Sequence, residues 1–369
     1  MVTKSKEKQP IEAQPVTGQV DPDLLKRLFK CSDIVDPKST EMSPSFERVP
    51  TISPTVNWAL QGGMVPGRFY MMFGPESSGK SMFVVSQCAE YLKKYPDKVI
   101  VWFDAEESFT RHWVNIFMSD ERGFTEFDRE KRLIVKKVSY GRDVFDFFSK
   151  ELVGMHDDGL KIGACVLDSV QALIPPKEEN RDNTEKALIG ALSGYLPGAL
   201  RDILHSARER DISWFFISQV RDVMDEIQKR LGQKFSFSGG KSFLHSIDAI
   251  LLFEQMQGKS NKIFHNEKKG PDGNFIQIGH FIKMKVLGKC RVGVPNRVAI
   301  FKFIYEKGIV DTYEEIAKLA LGLGVVNLQG KTYFFGKDKI GVGERDYWKT
   351  VRESTELQEQ LCKLILEDE

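Results

Sequence analysis

Eight consecutive residues, Gly74, Pro75, Glu76, Ser77, Ser78, Gly79, Lys80 and Ser81, follow the spacing G-x-x-x-x-G-K-[S/T]. That spacing binds nucleotide phosphates when a strand runs into it and a helix leaves it. Residues 68–73 (RFYMMF) are apolar enough for a buried strand, and residues 82–94 carry a helical pattern. Glycines would let backbone N–H groups turn inward, and the helix N-terminus adds positive partial charge. In ATP chemistry of this kind Lys80 would reach the terminal phosphates, and the Ser81 hydroxyl would ligate Mg²⁺.

Other reactive side chains stand where apolar segments stop. Residues 99–103 run into Asp104, Glu106 and Glu107, residues 162–167 into Asp168 and Ser169, and residues 213–218 into Gln219. Asp168 fits the acid that holds Mg²⁺ through water in NTPases. One carboxylate from the 104–107 turn would deprotonate the attacking water. Each alone reads equally well as a helix cap; the set, all at strand ends, points to one site.

The elements that must position these groups are strands at 69–73, 99–103, 134–138, 162–167, 213–218 and 247–253, with helical patterns between most of them. Continuous apolar strands alternating with helices predict an α/β fold with a mostly parallel sheet covered on both faces. Ligands of such sheets bind beyond the carboxyl ends of the strands, which brings the acids and Gln219 to the phosphate loop. Residues 275–286 and 298–305 lack an intervening helix and should extend the sheet antiparallel at one edge. The connection 255–274 reads as an edge hairpin, with a duplex-binding surface as the alternative.

Composition sets the outer bounds. The chain has 369 residues, 41% of them hydrophobic, and a net charge of +1, so nucleic acid would be held by local patches rather than bulk charge. No apolar run reaches the ~18 residues of a membrane span. Without an apolar signal core, and with five scattered cysteines and six dispersed histidines, neither a disulfide framework nor a zinc site is expected. The expected setting is cytoplasmic, the host's if the source is viral.

At several separated places the chain resembles the RecA family of homologous recombinases, over roughly residues 20–350. Ile52–Leu60 with Gly62–Arg68 is similar to the entry of that family's ATPase core. Gly74 to Ser81 is nearly the bacterial phosphate loop, with Ser81 in place of Thr. The segments FDAE ending at Glu106, LDSVQAL from Leu167, FISQVR containing Gln219 and FKFIYEKGI from Phe301 follow in the family's order. The resemblance implies a RecA-like core, with Glu106 activating water, Asp168 on the Mg²⁺ side and Gln219 sensing the terminal phosphate. It places Trp113 where adenine stacks, though Trp113 also suits a core, and Tyr305 against a neighbour's adenine. Between 281 and 305 lie six Lys or Arg and no acid. Lysines on an edge strand often only protect it. The resemblance implies instead that Lys289 and Arg291 reach ATP bound by the adjacent subunit, as fingers in trans. Bacterial members carry Lys at both positions.

Two loops would face DNA by the same resemblance. The first, about 176–190, contains Lys177, Arg181 and Lys186; Arg201, on the next helix, is either a DNA contact or a surface charge. The second, about 220–240, contains Arg221, Met224, Lys229, Arg230 and Lys234, and ends at Gly239, Gly240 and Lys241. Cations neutralise phosphates, and interleaved apolar side chains stack on or part bases.

The expected organisation is a tail at 1–20, an oligomerisation helix and linker at 21–50, the ATPase core at 51–305 and a small α+β domain at 306–369. The apolar face of the 21–30 helix would dock on its own core or on a neighbour. The implied function is a DNA-dependent ATPase that forms helical filaments of identical subunits on single-stranded DNA and exchanges strands with homologous duplex DNA, away from membranes. The alternatives are a hexameric motor or helicase on the same fold, and a mediator that keeps ATP as a regulatory ligand.

Overall fold

The structure is a computed structural model, and it describes residues 47–175, 185–222, 235–236 and 240–367. The expected tail at 1–20 and helix at 21–30 lie outside the described residues. The first helix among the described residues, α1 (Pro54–Ala59), has Pro in its first turn and is capped by the Ser53 hydroxyl, which accepts the Val56 N–H.

The elements of the sheet then alternate with helices: β1 (Phe69–Gly74), α2 (Lys80–Lys94), β2 (Val99–Asp104), α3 (Arg111–Phe117), β3 (Leu133–Lys137), α4 (Gly141–Phe147), α5 (Val153–Asp157), β4 (Ile162–Asp168), α6 (Glu185–Glu209) and β5 (Ser213–Gln219). Two-residue strands β6 (Arg221–Asp222) and β7 (Phe235–Ser236) follow, then α7 (Gly240–Ser246), β8 (Ala249–Gln255), β9 (Lys262–Lys269), β10 (Phe275–Cys290), β11 (Val298–Ile304) and β12 (Gly308–Val310).

The sheet order is β12-β11-β10-β8-β1-β5-β4-β2-β3, with β9 attached to β10. Strands from β8 to β3 are parallel; β10, β11 and β12 continue antiparallel. Every residue of β1, β2 and β4 is buried, which is why their sequences read as unbroken apolar runs. Trp214 of β5 anchors the layer under α4 and α6, stacked on Phe103 and Phe216. The 255–274 connection contains β9, which folds back on β10 as a bulged hairpin.

A second core starts at α8 (Thr312–Gly322) and continues through β13 (Val326–Gln329), β14 (Thr332–Phe335), β15 (Asp338–Val342), α9 (Glu344–Glu353) and α10 (Thr355–Glu367). The expected boundary at 305/306 falls in the β11–β12 turn, because β12 still pairs in the central sheet. Exposure of three of its four residues hid β13 from the apolar pattern. α9 and α10 are separated at Ser354, whose hydroxyl accepts the Leu357 N–H and starts α10. Glu315 joins this core to α1: its Oε2 accepts from the Ser53 and Thr55 hydroxyls and the Thr55 N–H.

Candidate active site

β1 sits mid-sheet and ends where the loop 74–81 begins, so the loop lies at the carboxyl rim. Space forces glycine at two of its positions. A Cβ on Gly74 would stand 2.2 Å from the Phe253 carbonyl oxygen. Gly79 has φ +89° and a Cβ there would meet Ile282 Cδ1 at 2.5 Å. Gly79 also caps α2 without a side-chain acceptor, which leaves first-turn N–H groups to serve an anion.

Lys80 is buried, and its Nζ donates to the Gly74 and Pro75 carbonyls at 2.9 and 2.6 Å. Burial pulls its ammonium down to about 8, against the attraction of Asp168, Glu106 and Glu76. Phosphate oxygens at the loop would offset that desolvation. Burial likewise pushes the Asp168 carboxyl up to about 7; its hydrogen bond with Ser81 opposes the rise, while Glu106 and Asp104 add to it. A cation between Ser81 and Asp168 would relieve that cost. No cluster of three or more Asp, Glu, His or Cys suited to a metal occurs among the described residues. The pair fits Mg²⁺, which takes one or two protein ligands and completes its shell with phosphate and water.

The fold separates the three acids of the 104–107 turn. Asp104 is buried and accepts from the Ser108 and Phe109 N–H groups, both at 3.2 Å, so it shapes the turn. Glu107 pairs with Lys137 at 2.9 Å. Glu106 remains: its Oε1 accepts from the Ser169 hydroxyl and from Gln219 Nε2, the latter at 3.3 Å. The backbone fixes this meeting, because the Asp168 carbonyl accepts the Ala105 N–H at 2.7 Å. Two contributors were not legible as such in the sequence. Ser169 stands beside Asp168, with nothing in its type or spacing to mark it as a partner of Glu106. Gln171 donates to the Ser218 hydroxyl at 2.7 Å and the Gln219 carbonyl at 2.8 Å, clamping the end of β5.

Trp113 and Tyr305, expected in opposite halves of a shared site, both pack on Phe303 of their own chain. Trp113 is half-buried and packs on Phe303 with ring centroids 5.4 Å apart, and Phe303 packs on Tyr305 at 5.8 Å. His112 Nε2 bonds the Tyr305 carbonyl at 3.0 Å. The antiparallel return of β11 makes this possible. The Tyr305 hydroxyl is held beside this cluster by Gln277 at 2.9 Å.

Arg291 stands elsewhere. It follows β10, and its N–H donates to the Asp248 carbonyl beside the amino ends of β8 and β1. Its guanidinium bonds Asp248 Oδ1 at 3.1 Å. Five residue steps along β1, about 16 Å at the usual rise, separate that rim from Gly74. Arg291 cannot serve the phosphate loop of its own chain.

The second loop springs from the carboxyl rim. Val220 N–H donates to the Gly74 carbonyl at 3.0 Å, and Arg221 and Asp222 then pair with Ser236 and Phe235. A short ladder thus closes the base of this loop two residues after Gln219. Gly240 opens α7. Lys177, Arg181, Met224, Lys229, Arg230, Lys234 and Gly239 lie outside the described residues, as do the side chains of Lys186, Arg221, Lys241 and Lys289. Arg201 is exposed on α6, between the buried Leu200 and Ile203.

A family model described as the RecA N-terminal domain matches residues 25–310. Among curated relatives, Protein RecA of Nostoc sp. (strain PCC 7120) is 28% identical over 323 residues, 87% of this chain and 81% of its own. Protein RecA of Aquifex aeolicus is 25% identical over 344 residues, covering 93% and 90%. Protein RecA of Chlorobium limicola is 28% identical over 340 residues, covering 92% and 87%.

Proposed function

The chain belongs to the RecA family, and from that premise we propose that it is a DNA-dependent ATPase recombinase. It would assemble head to tail as a helical filament on single-stranded DNA, with ATP between protomers, and exchange strands with homologous duplex. One observation carries the reading: loop 74–81 with Glu106, Asp168 and Gln219 occupies one rim of the sheet, and Arg291 the other. Two complementary half-sites on opposite faces of one molecule call for a heterologous contact, which repeats as a helix or a ring.

Hydrolysis then divides among named groups. Loop 74–81 and Lys80 hold the triphosphate, and the Trp113–Tyr305 cluster offers a ring face to the purine. Glu106, oriented by Ser169 and Gln219, takes a proton from water as its oxygen attacks the γ-phosphorus and the bond to ADP breaks. Mg²⁺ held at Ser81 and Asp168 would neutralise phosphate charge. Arg291 and Lys289 of the next protomer would complete the stabilisation. Loss of the γ-phosphate would be felt by Gln219, two residues from the ladder that closes the second loop. That adjacency supports coupling between ATP state and DNA grip.

The test is a strand-exchange assay with homologous and heterologous duplexes, run beside electron microscopy of the protein with ATP and single-stranded DNA. Filaments and homology-dependent joint molecules are expected. Closed rings without filaments would favour the motor; absence of DNA-stimulated turnover would favour the mediator.

A further inference from the structure

Asp248 lies between α7 and β8 and is completely buried. A buried carboxylate is costly unless hydrogen bonds and cations satisfy it. Here they do, from two directions. On the inner side, Phe69 N–H donates to Oδ2 at 3.0 Å, and Asp248 N–H donates to the Phe69 carbonyl at 2.7 Å. Toward the surface come three guanidinium groups. Arg208 Nη2 reaches both oxygens at 3.0 Å, Arg291 Nη1 reaches Oδ1 at 3.1 Å, and Arg68 lies 3.9 Å from Oδ1. Three guanidinium groups thus share one carboxylate at the amino rim. The Arg291 side chain remains 49% exposed there, so it is fixed at one end and open to a ligand at the other.

We infer that Asp248 is a positioning residue for trans hydrolysis: it holds the Arg291 guanidinium where the triphosphate bound by a second copy of this chain arrives. The inference rests on the shared-site reading above. Arg291 is anchored twice on the same residue, through its own N–H to the Asp248 carbonyl and through its guanidinium to the carboxylate. An arginine so tethered loses less freedom on meeting phosphate than a free one, and misplacing such a group by an ångström costs on the order of 100-fold in rate. Asp248 itself touches no reacting atom.

Asp248→Asn is the informative change. The amide can keep its oxygen on the Phe69 N–H while turning a donor toward Arg291. In full-length protein on single-stranded DNA it should lower the turnover number about 10- to 100-fold, with an unchanged thermal unfolding midpoint. Mixing separates positioning from plain damage. Lys80→Ala protomers have no working phosphate loop but donate an intact Arg291. Adding them should restore turnover to Asp248→Asn protomers, as it should to Arg291→Ala protomers. Asp248→Asn placed on top of Arg291→Ala should cost nothing further. Wild-type turnover by Asp248→Asn, or no rescue by Lys80→Ala, overturns the inference. Where Asp248→Asn lowers the unfolding midpoint, Asp248→Ser, which keeps an acceptor for the Phe69 N–H, replaces it in the mixing; rescue by Lys80→Ala then supports the inference and its failure overturns it. Wild-type turnover by Arg291→Ala would instead defeat the shared-site reading. A defective, rescuable Arg291→Ala beside an active Asp248→Asn defeats the inference on Asp248 alone.

Discussion

Glu106 accepts two hydrogen bonds on one oxygen, from Ser169 and Gln219, and is the acid of its turn that neither caps backbone nor pairs with lysine. Glu106→Gln keeps the shape of that contact and removes the base. ATP binding and assembly should persist while DNA-stimulated phosphate release falls at least about 100-fold, the usual share of a general base. Phosphate release under saturating single-stranded DNA, beside nucleotide-binding titration, reads both. Unaltered release would take the role from Glu106. The same residue scale shows where types alone fell short. Asp104, Glu106 and Glu107 are interchangeable carboxylates by type, and only Lys137 and the 108–109 backbone tell them apart.

Among elements, β5 and its continuation join the rim of the phosphate loop to the base of the 220–240 loop. Gln171 clamps the Gln219 carbonyl and the Ser218 hydroxyl, next to the β6–β7 ladder. Gln171→Leu should leave DNA-free ATP turnover nearly unchanged and reduce its stimulation by single-stranded DNA several-fold, in line with a loss of about 1 kcal/mol per hydrogen bond. Equal stimulation in both proteins would show that the clamp does not couple the two. At the other junction, α8 meets α1 through Glu315. Three donors reach its Oε2 and, among the described residues, none reaches Oε1. Burial pushes this carboxyl up to about 7, against the Ser53 and Thr55 hydrogen bonds that lower it. The folded chain therefore keeps a proton that the unfolded chain loses near 4.5. Stability from this group falls as pH rises from about 4.5 to about 7, by at most roughly 3 kcal/mol. Glu315→Gln should flatten that part of the pH dependence, seen in thermal unfolding midpoints at pH 5 and 8. An unchanged slope would show that Glu315 does not titrate across this window.

Over the whole molecule, the proposed filament would split function between two rims of one sheet, since Arg291 is remote from the Gly74–Ser81 loop of its own chain. Specific ATP turnover should therefore rise with protein concentration and with occupancy of the DNA lattice, in step with assembly followed by light scattering. Turnover independent of concentration down to isolated protomers would place the complete site within one chain.

Sequence alone determined the phosphate loop and the strand pattern, because both are local. Glycines, Lys80 and Ser81 act within eight residues, and unbroken apolar runs record burial on both faces of a sheet. Convergence of Asp168, Glu106 and Gln219 followed from one rule about the carboxyl ends of parallel strands. Tertiary structure decided what depends on partners far apart in the chain. Ser169 selects Glu106 across 63 positions, Arg291 finds Asp248 across 43, and Ser53 finds Glu315 across 262. It also set Trp113 and Tyr305 on either side of Phe303, because β11 returns antiparallel past α3. A residue's type states what it can bond, and its local pattern states which face it occupies. Which group stands opposite is fixed only when the sheet closes, since that neighbour is set by strand order and not by spacing along the chain.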